Sequence, residues 1–208
     1  MDDSAHDREH VYRVLYNALE IAREEAVDYD ILITACLLHD IGRIDQIQNP
    51  SLCHAAVGSE KAYNFLIGLG MDDAFAGAVR HCIATHRFRK NLPPQTLEAK
   101  ILFDADKLDV TGAIGIARTL MYRGTLTEPL YRHLPDGTIS DGSEDIGHSF
   151  FREYKFKLEK LYDRFYTEKG AQLAAHRRKA AEDFYHALYA EVSEGYDAGR
   201  KNLSDLLE

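Results

Sequence analysis

A chain of 208 residues, 45% hydrophobic and 28% charged, can bury one core, so one domain with a helical extension is expected. Its net charge of −9 excludes a general DNA or RNA binder, and makes an anionic substrate awkward unless a cation is brought to the site. The polar start "MDDSAHDREH" is no signal peptide, and no apolar run approaches the roughly 20 residues of a membrane span. Cys36, Cys53 and Cys82 are isolated among apolar neighbours and read as buried free thiols, which suits a cytoplasmic protein.

Nearly every segment has the helical period and none alternates like a strand, so the fold class is all-α. Val11, Val14, Leu15, Ala18, Leu19 and Ala22 form one apolar stripe on a helix from about Asp7 to Glu25. A second helix starts at Asp28 or Asp30, both good caps, and ends at Gly42. It is apolar all round, which predicts a central helix packed on every side. A third is expected over Ser51–Leu69, a fourth from Asp72 to about Phe88, and Thr96 caps a long fifth helix reaching Tyr122. Residues 124–147 are rich in Gly, Pro, Asp and Ser and form a long loop placed to act as a lid. Two helices follow, about 148–166 and 168–197, with Thr167 as the cap between them. Their tyrosines offer a surface for a homodimer. The expected organisation is a helical core over 1–123, the loop over 124–147 and packed C-terminal helices over 148–208, in a single domain overall.

His39 and Asp40 stand where the apolar run Ile31–Leu38 stops, and desolvating both is costly unless something compensates them. They lie roughly 100° apart on the helix and reach one point beside its C-terminus, where a cation is favoured. The plain alternative is a His–Asp hydrogen bond that braces the core. Asp104 has Lys100 and Lys107 at helical spacing, but Asp106 has only Leu102, Phe103, Val110 and Asp109 around it. Its positive partner must therefore be an arginine of another helix or a metal ion.

His86 shares a stripe with Phe75, Val79, Cys82 and Ile83 and should face the core, whereas His81 projects the opposite way into solvent. His10 lies at the edge of the first helix's stripe, and His54 is one turn before Gly58, where another element can approach. His6, His133, His148, His176 and His186 read as surface groups. His10, His39, Asp40 and Asp106 make a plausible set for one divalent metal (Mn, Fe, Co, Ni, Zn or Mg), with positions left for water and substrate. Adding His54 and His86 supplies a second ion, with Asp40 as the bridge.

This pattern resembles the HD-domain phosphohydrolase superfamily, whose H…HD…D motif is matched by His10, His39–Asp40 and Asp106. The stretches "EHVYRV", "ACLLHDIGR", "TLEAKILFDADKLDVTGAIGIAR" and "KLEKLYDRFYTEKGAQLAAHRR" are similar to a branch of small bacterial and archaeal HD hydrolases. The resemblance covers nearly the whole chain. It implies a helical bundle whose metal is held by His10, His39, Asp40 and Asp106, and "HAAVG" and "IATH" look like the extra histidine positions of two-metal members. Members of the branch often lack a histidine at the position of His54, so one ion or two per chain stays open. Arg43 replaces the lysine of "HDIGK" members, which keeps the charge and changes its geometry.

The expected activity is metal-dependent phosphohydrolysis of a small phosphorylated substrate, a nucleotide, by metal-activated water. Asp40, Asp109 and Arg43 are the catalytic candidates: Asp40 orients the water and Asp109 accepts or shuttles a proton. Arg13, Arg43 and Arg118 are the candidates for holding phosphate. A triphosphate cut to monophosphate and pyrophosphate is one version, a phosphomonoester another. The alternatives are a phosphodiesterase, a signalling-nucleotide hydrolase, a non-catalytic nucleotide-binding regulatory module, and an iron-dependent oxygenase on the same scaffold.

Overall fold

Short polar residues open the helices as the sequence predicts. Asp7 accepts the His10 N–H, Asp28 those of Asp30 and Ile31, Asp72 that of Phe75, and Thr96 that of Ala99. The computed structural model describes residues 7–87 and 92–208; His6 and the expected helix end at Phe88 lie outside the described residues. The helices are α1 (Arg8–Ile21), α2 (Tyr29–Leu38), α3 (Arg43–Gln48), α4 (His54–Gly68), α5 (Asp73–Thr85), α6 (Leu97–Leu108), α7 (Gly112–Thr125), α8 (Phe150–Glu153) and α9 (Glu168–Leu207). Among the described residues the only β pairing is an isolated bridge between His133 and Ile139. The fold is all-α.

Several boundaries differ from the sequence reading. α2 ends at Leu38, so His39 to Gly42 form a turn and the short α3 follows. α2 packs against α1, α5 and α6 but not on every side, because Leu37 is 47% exposed. The expected helix over Ser51–Leu69 begins at His54, and the expected long fifth helix is two, α6 and α7. The break falls after Asp109, where Gly112 takes φ +59°, a left-handed conformation that ends a right-handed helix and suits glycine. The expected helix over 148–166 is α8, a wide turn Tyr154–Leu158 and a tight turn Leu161–Asp163.

The chain divides into two units, the first comprising Met1–Asp109 with Phe165–Leu173 and the second Val110–Arg164 with Ala174–Glu208. In the first, Val14, Ala18, Leu32, Ala35, Val79, Ile83, Ile101 and Leu102 are fully buried. Asp104 is buried there as well, and its carboxylate accepts the N–H of Tyr166 and both the N–H and hydroxyl of Thr167. Thr167 in turn accepts the Gly170 N–H at 3.1 Å, so it caps α9 as expected. The Lys100 and Lys107 pairing read from helical spacing is thus not what binds Asp104, although Lys107 still acts on it through its charge.

In the second unit, Tyr154 and Tyr185 stack at 4.0 Å, and both are buried. Tyr185 donates its hydroxyl to the Asp141 carbonyl at 2.5 Å and Arg200 donates to the Gly137 carbonyl at 3.1 Å, which tie the 126–149 loop to the later turns of α9. Among the described residues no helix is long and apolar enough to cross a membrane.

Candidate metal centre

Five helices of the first unit, or the turns that end them, each send a donor to one place. α1 carries His10, the turn after α2 carries His39 and Asp40, α4 opens with His54, the end of α5 supplies His86, and α6 carries Asp106. His10, His39, His54 and His86 are all buried. Their donor atoms form two groups, His10–His39–Asp106 and Asp40–His54–His86, in each of which the atoms lie within 4.8 Å of one another. Asp40 faces both: its Oδ2 is 3.6 Å from His10 Nε2 and 3.7 Å from His39 Nε2, and its Oδ1 is 3.5 Å from His54 Nε2.

Each imidazole is oriented from behind. His39 Nδ1 is 2.7 Å from the Cys36 carbonyl oxygen and His86 Nδ1 is 2.6 Å from that of Ile83. His10 Nδ1 is 2.7 Å from Asp109 Oδ2, and His54 Nδ1 is 2.6 Å from Gln46 Oε1. Those acceptors assign the proton to Nδ1 in His10, His39 and His86, so each of these rings, when neutral, turns its Nε2 lone pair inward, whereas His54 Nδ1 faces both Gln46 Oε1 and the Arg43 guanidinium. His10 Nε2 and His39 Nε2 are 3.3 Å apart, and Asp106 Oδ1 is 3.5 Å from His10 Nε2. Lone pairs and carboxylates so placed repel one another unless positive charge lies between them, as protons or as a metal. Metal-bound histidines characteristically donate their other N–H to a carbonyl or carboxylate, so these residues fit a divalent cation.

The electrostatics agree. Burial pushes the His86 pKa down to about 4, aided by His39, and pushes that of His54 down to about 3, aided by His86. Both rings are therefore neutral, the form that binds metal, at physiological pH. Burial opposes ionisation of Asp106, but His10, His86 and His39 outweigh it and hold the carboxyl below its ordinary range. Among the described residues no arginine reaches Asp106.

One close approach sets the geometry of His54. A Cβ at Gly42 would lie 2.3 Å from the His54 carbonyl oxygen and 2.6 Å from Gly58 N, so the backbones of the α2–α3 turn and α4 touch. The element expected to approach Gly58 is that turn.

The remaining candidates are placed differently from one another. Asp109 is buried, bonded to His10 and held by Arg13 through Nε at 2.7 Å and Nη2 at 3.1 Å. Arg43 Nη1 is 3.2 Å from Gln46 Oε1 and 3.0 Å from His54 Nδ1. Arg118 is buried on α7 in the second unit. His81 is partly exposed and accepts the Gln95 N–H at 3.1 Å, and His133, His148, His176 and His186 are exposed. Cys36 and Cys82 are buried free thiols, whereas Cys53 is half-buried. Among the described residues, Gln46 and Arg87 border the centre and are absent from the sequence reading. Adjacency of Arg87 to His86 was the available signal; Gln46 becomes visible only once α3 is recognised.

Known proteins resemble this chain over most of its length. The HD-domain family model matches residues 8–111. YpgQ of Bacillus subtilis (strain 168), a protein described as uncharacterized, is 32% identical over 201 residues, 95% of this chain and 89% of that one. The crystal structure of B. subtilis YpgQ in complex with ADP superposes with a TM-score of 0.72 at 29% identity, covering 92% of each chain. A predicted HD superfamily hydrolase from an uncultured Thermotogales bacterium gives 0.61 at 32% identity, covering 91% of this chain and 83% of that one. An HD-superfamily hydrolase from Bacillus thuringiensis gives 0.67 at 30%, covering 91% and 88%. With its histidines and aspartates gathered from five helices and its sequence matched over nearly its whole length, this chain belongs to the HD-domain family of hydrolases.

Proposed function

We propose that this protein is a metal-dependent phosphohydrolase acting on a nucleotide. The observation that carries this reading is the inward convergence of four imidazole nitrogens and two carboxylates, each ring fixed from behind by its own acceptor. His10, His39 and Asp106 would hold one divalent cation and Asp40, His54 and His86 a second, with Asp40 shared. An all-nitrogen and oxygen set without thiolate suits Mn, Fe, Co, Ni, Zn or Mg. Such a cation, when bound, polarises a phosphoryl oxygen and lowers the pKa of water to roughly 7.

The chain's own groups do the rest. Asp40 turns an oxygen toward each donor group and so is positioned to orient the attacking water. Asp109 keeps the His10 proton on Nδ1, with Arg13 holding the carboxylate in place. Gln46 and Arg43 both stand against His54 Nδ1 and fix the orientation of that ring. The nucleotide part of the reading draws on the ADP complex of YpgQ, a relative over 92% of its length.

The test is a panel of nucleoside mono-, di- and triphosphates, cyclic nucleotides and a generic phosphodiester, assayed with Mn²⁺ for released phosphate and pyrophosphate. Turnover of one nucleotide class, lost with chelator, supports the proposal. Silence across the panel by metal-loaded protein rejects it in favour of a binding module.

A further inference from the structure

Among the described residues three arginines border the imidazole cluster, and they differ in what already holds them. Arg13 makes a two-point bond to the Asp109 carboxylate. Arg43 reaches Gln46 Oε1 and the His54 ring. Arg87 is half-buried, and among the described residues its hydrogen bond is to a soft acceptor, Cys53 Sγ at 3.8 Å. A thiol is a weak acceptor, so this contact costs little to exchange for a better one.

Position makes the difference useful. Cys53 immediately precedes His54 at the start of α4, and Arg87 immediately follows His86 at the end of α5. The guanidinium therefore stands at the edge of the Asp40–His54–His86 group, and its charge is felt at His54 together with that of Arg43. An anion approaching a chain of net charge −9 must pass two site carboxylates, so it needs fixed positive charge beside them. A guanidinium offers paired donors that match two phosphoryl oxygens, a geometry a lysine lacks.

We infer, on the phosphohydrolase reading above, that Arg87 grips the phosphate of the substrate, while Arg13 and Arg43 serve the imidazoles. It would exchange the Cys53 thiol for two non-bridging oxygens when substrate binds.

The experiment is calorimetric titration of Mn²⁺-loaded wild type, Arg87→Gln and Arg87→Lys with ADP and with inorganic pyrophosphate. Arg87→Gln should weaken both ligands by about tenfold or more, the loss of a charge-assisted bond. Arg87→Lys should fall between, keeping the charge without the fork, and all three proteins should bind the same number of Mn²⁺ ions. Affinities of Arg87→Gln within twofold of wild type for both ligands would overturn the inference and leave the phosphohydrolase proposal standing. Loss of Mn²⁺ from Arg87→Gln would also overturn it, by making Arg87 a support of the metal centre. Wild type that binds pyrophosphate but not ADP would remove the nucleotide reading, with Arg87 judged on pyrophosphate alone. Wild type that binds neither would remove both.

Discussion

His10 Nδ1 lies 2.7 Å from Asp109 Oδ2, and Arg13 holds the same carboxylate through two nitrogens. This chain of contacts fixes which nitrogen of His10 faces the cluster. Asp109→Asn removes the charge that favours the Nδ1 proton, so the ring can present the wrong tautomer. Mn²⁺ affinity, measured by competition with a chelator, should fall about 10–100-fold while the far-ultraviolet helical spectrum is unchanged. Arg13→Gln should give a smaller loss. Wild-type affinity in Asp109→Asn would show that the carboxylate does not act through His10.

Asp106 and His54 belong to different donor groups, so each substitution should cost a different ion. Asp106→Ala should abolish retention of metal by the His10–His39 group, and with it activity, with the helices preserved. His54→Ala should reduce the content by one ion and leave the other bound. Elemental analysis of protein purified without chelator should find one ion fewer than wild type in each variant, and one fewer still in the double variant. Loss of every ion from either single variant would reject the division into two groups.

The depressed His86 pKa makes the metal-free protein sensitive to acid. Its folded value is about 4 against the ordinary histidine value of 6.5, so between these the unfolded chain takes up a proton that the folded chain refuses. Stability is therefore complete above pH 6.5 and declines as pH falls toward 4, by on the order of 3 kcal/mol from this residue alone. Urea unfolding at pH 7 and pH 4.5 measures the loss, and His86→Gln should reduce it by the share of this residue, leaving that of His54. Excess Mn²⁺ should stabilise the protein at pH 7 far more than at pH 4.5, since the metal and the proton compete for the same nitrogens.

Gly42→Ala tests the backbone contact behind His54. The new Cβ would meet the His54 carbonyl and Gly58 N, both backbone atoms that cannot swing aside. A loss of about 2–4 kcal/mol in denaturant unfolding is expected. Because the displaced element carries His54, the Asp40–His54–His86 group should lose its ion before the other group does. An unchanged unfolding midpoint would mean the turn has room that the geometry denies it.

What the sequence determined by itself was local. The caps at Asp28, Asp72, Thr96 and Thr167 and the core-facing side of His86 depend on neighbours within a turn or so of helix, and periodicity reads them directly. The family motif likewise marked His10, His39, Asp40 and Asp106, because it is written in residue types and order. Tertiary structure decided everything that joins distant positions. Lys100 and Lys107 are good local partners for Asp104, yet its carboxylate is taken by Tyr166 and Thr167, 62 and 63 residues away. Arg13 finds Asp109 across 96 residues, and the α6–α7 break lies inside what reads as one continuous helix. Helix propensity is set by contacts at i+3 and i+4, whereas a buried charge takes whichever partner the packing brings within reach, and no spacing along the chain records that choice.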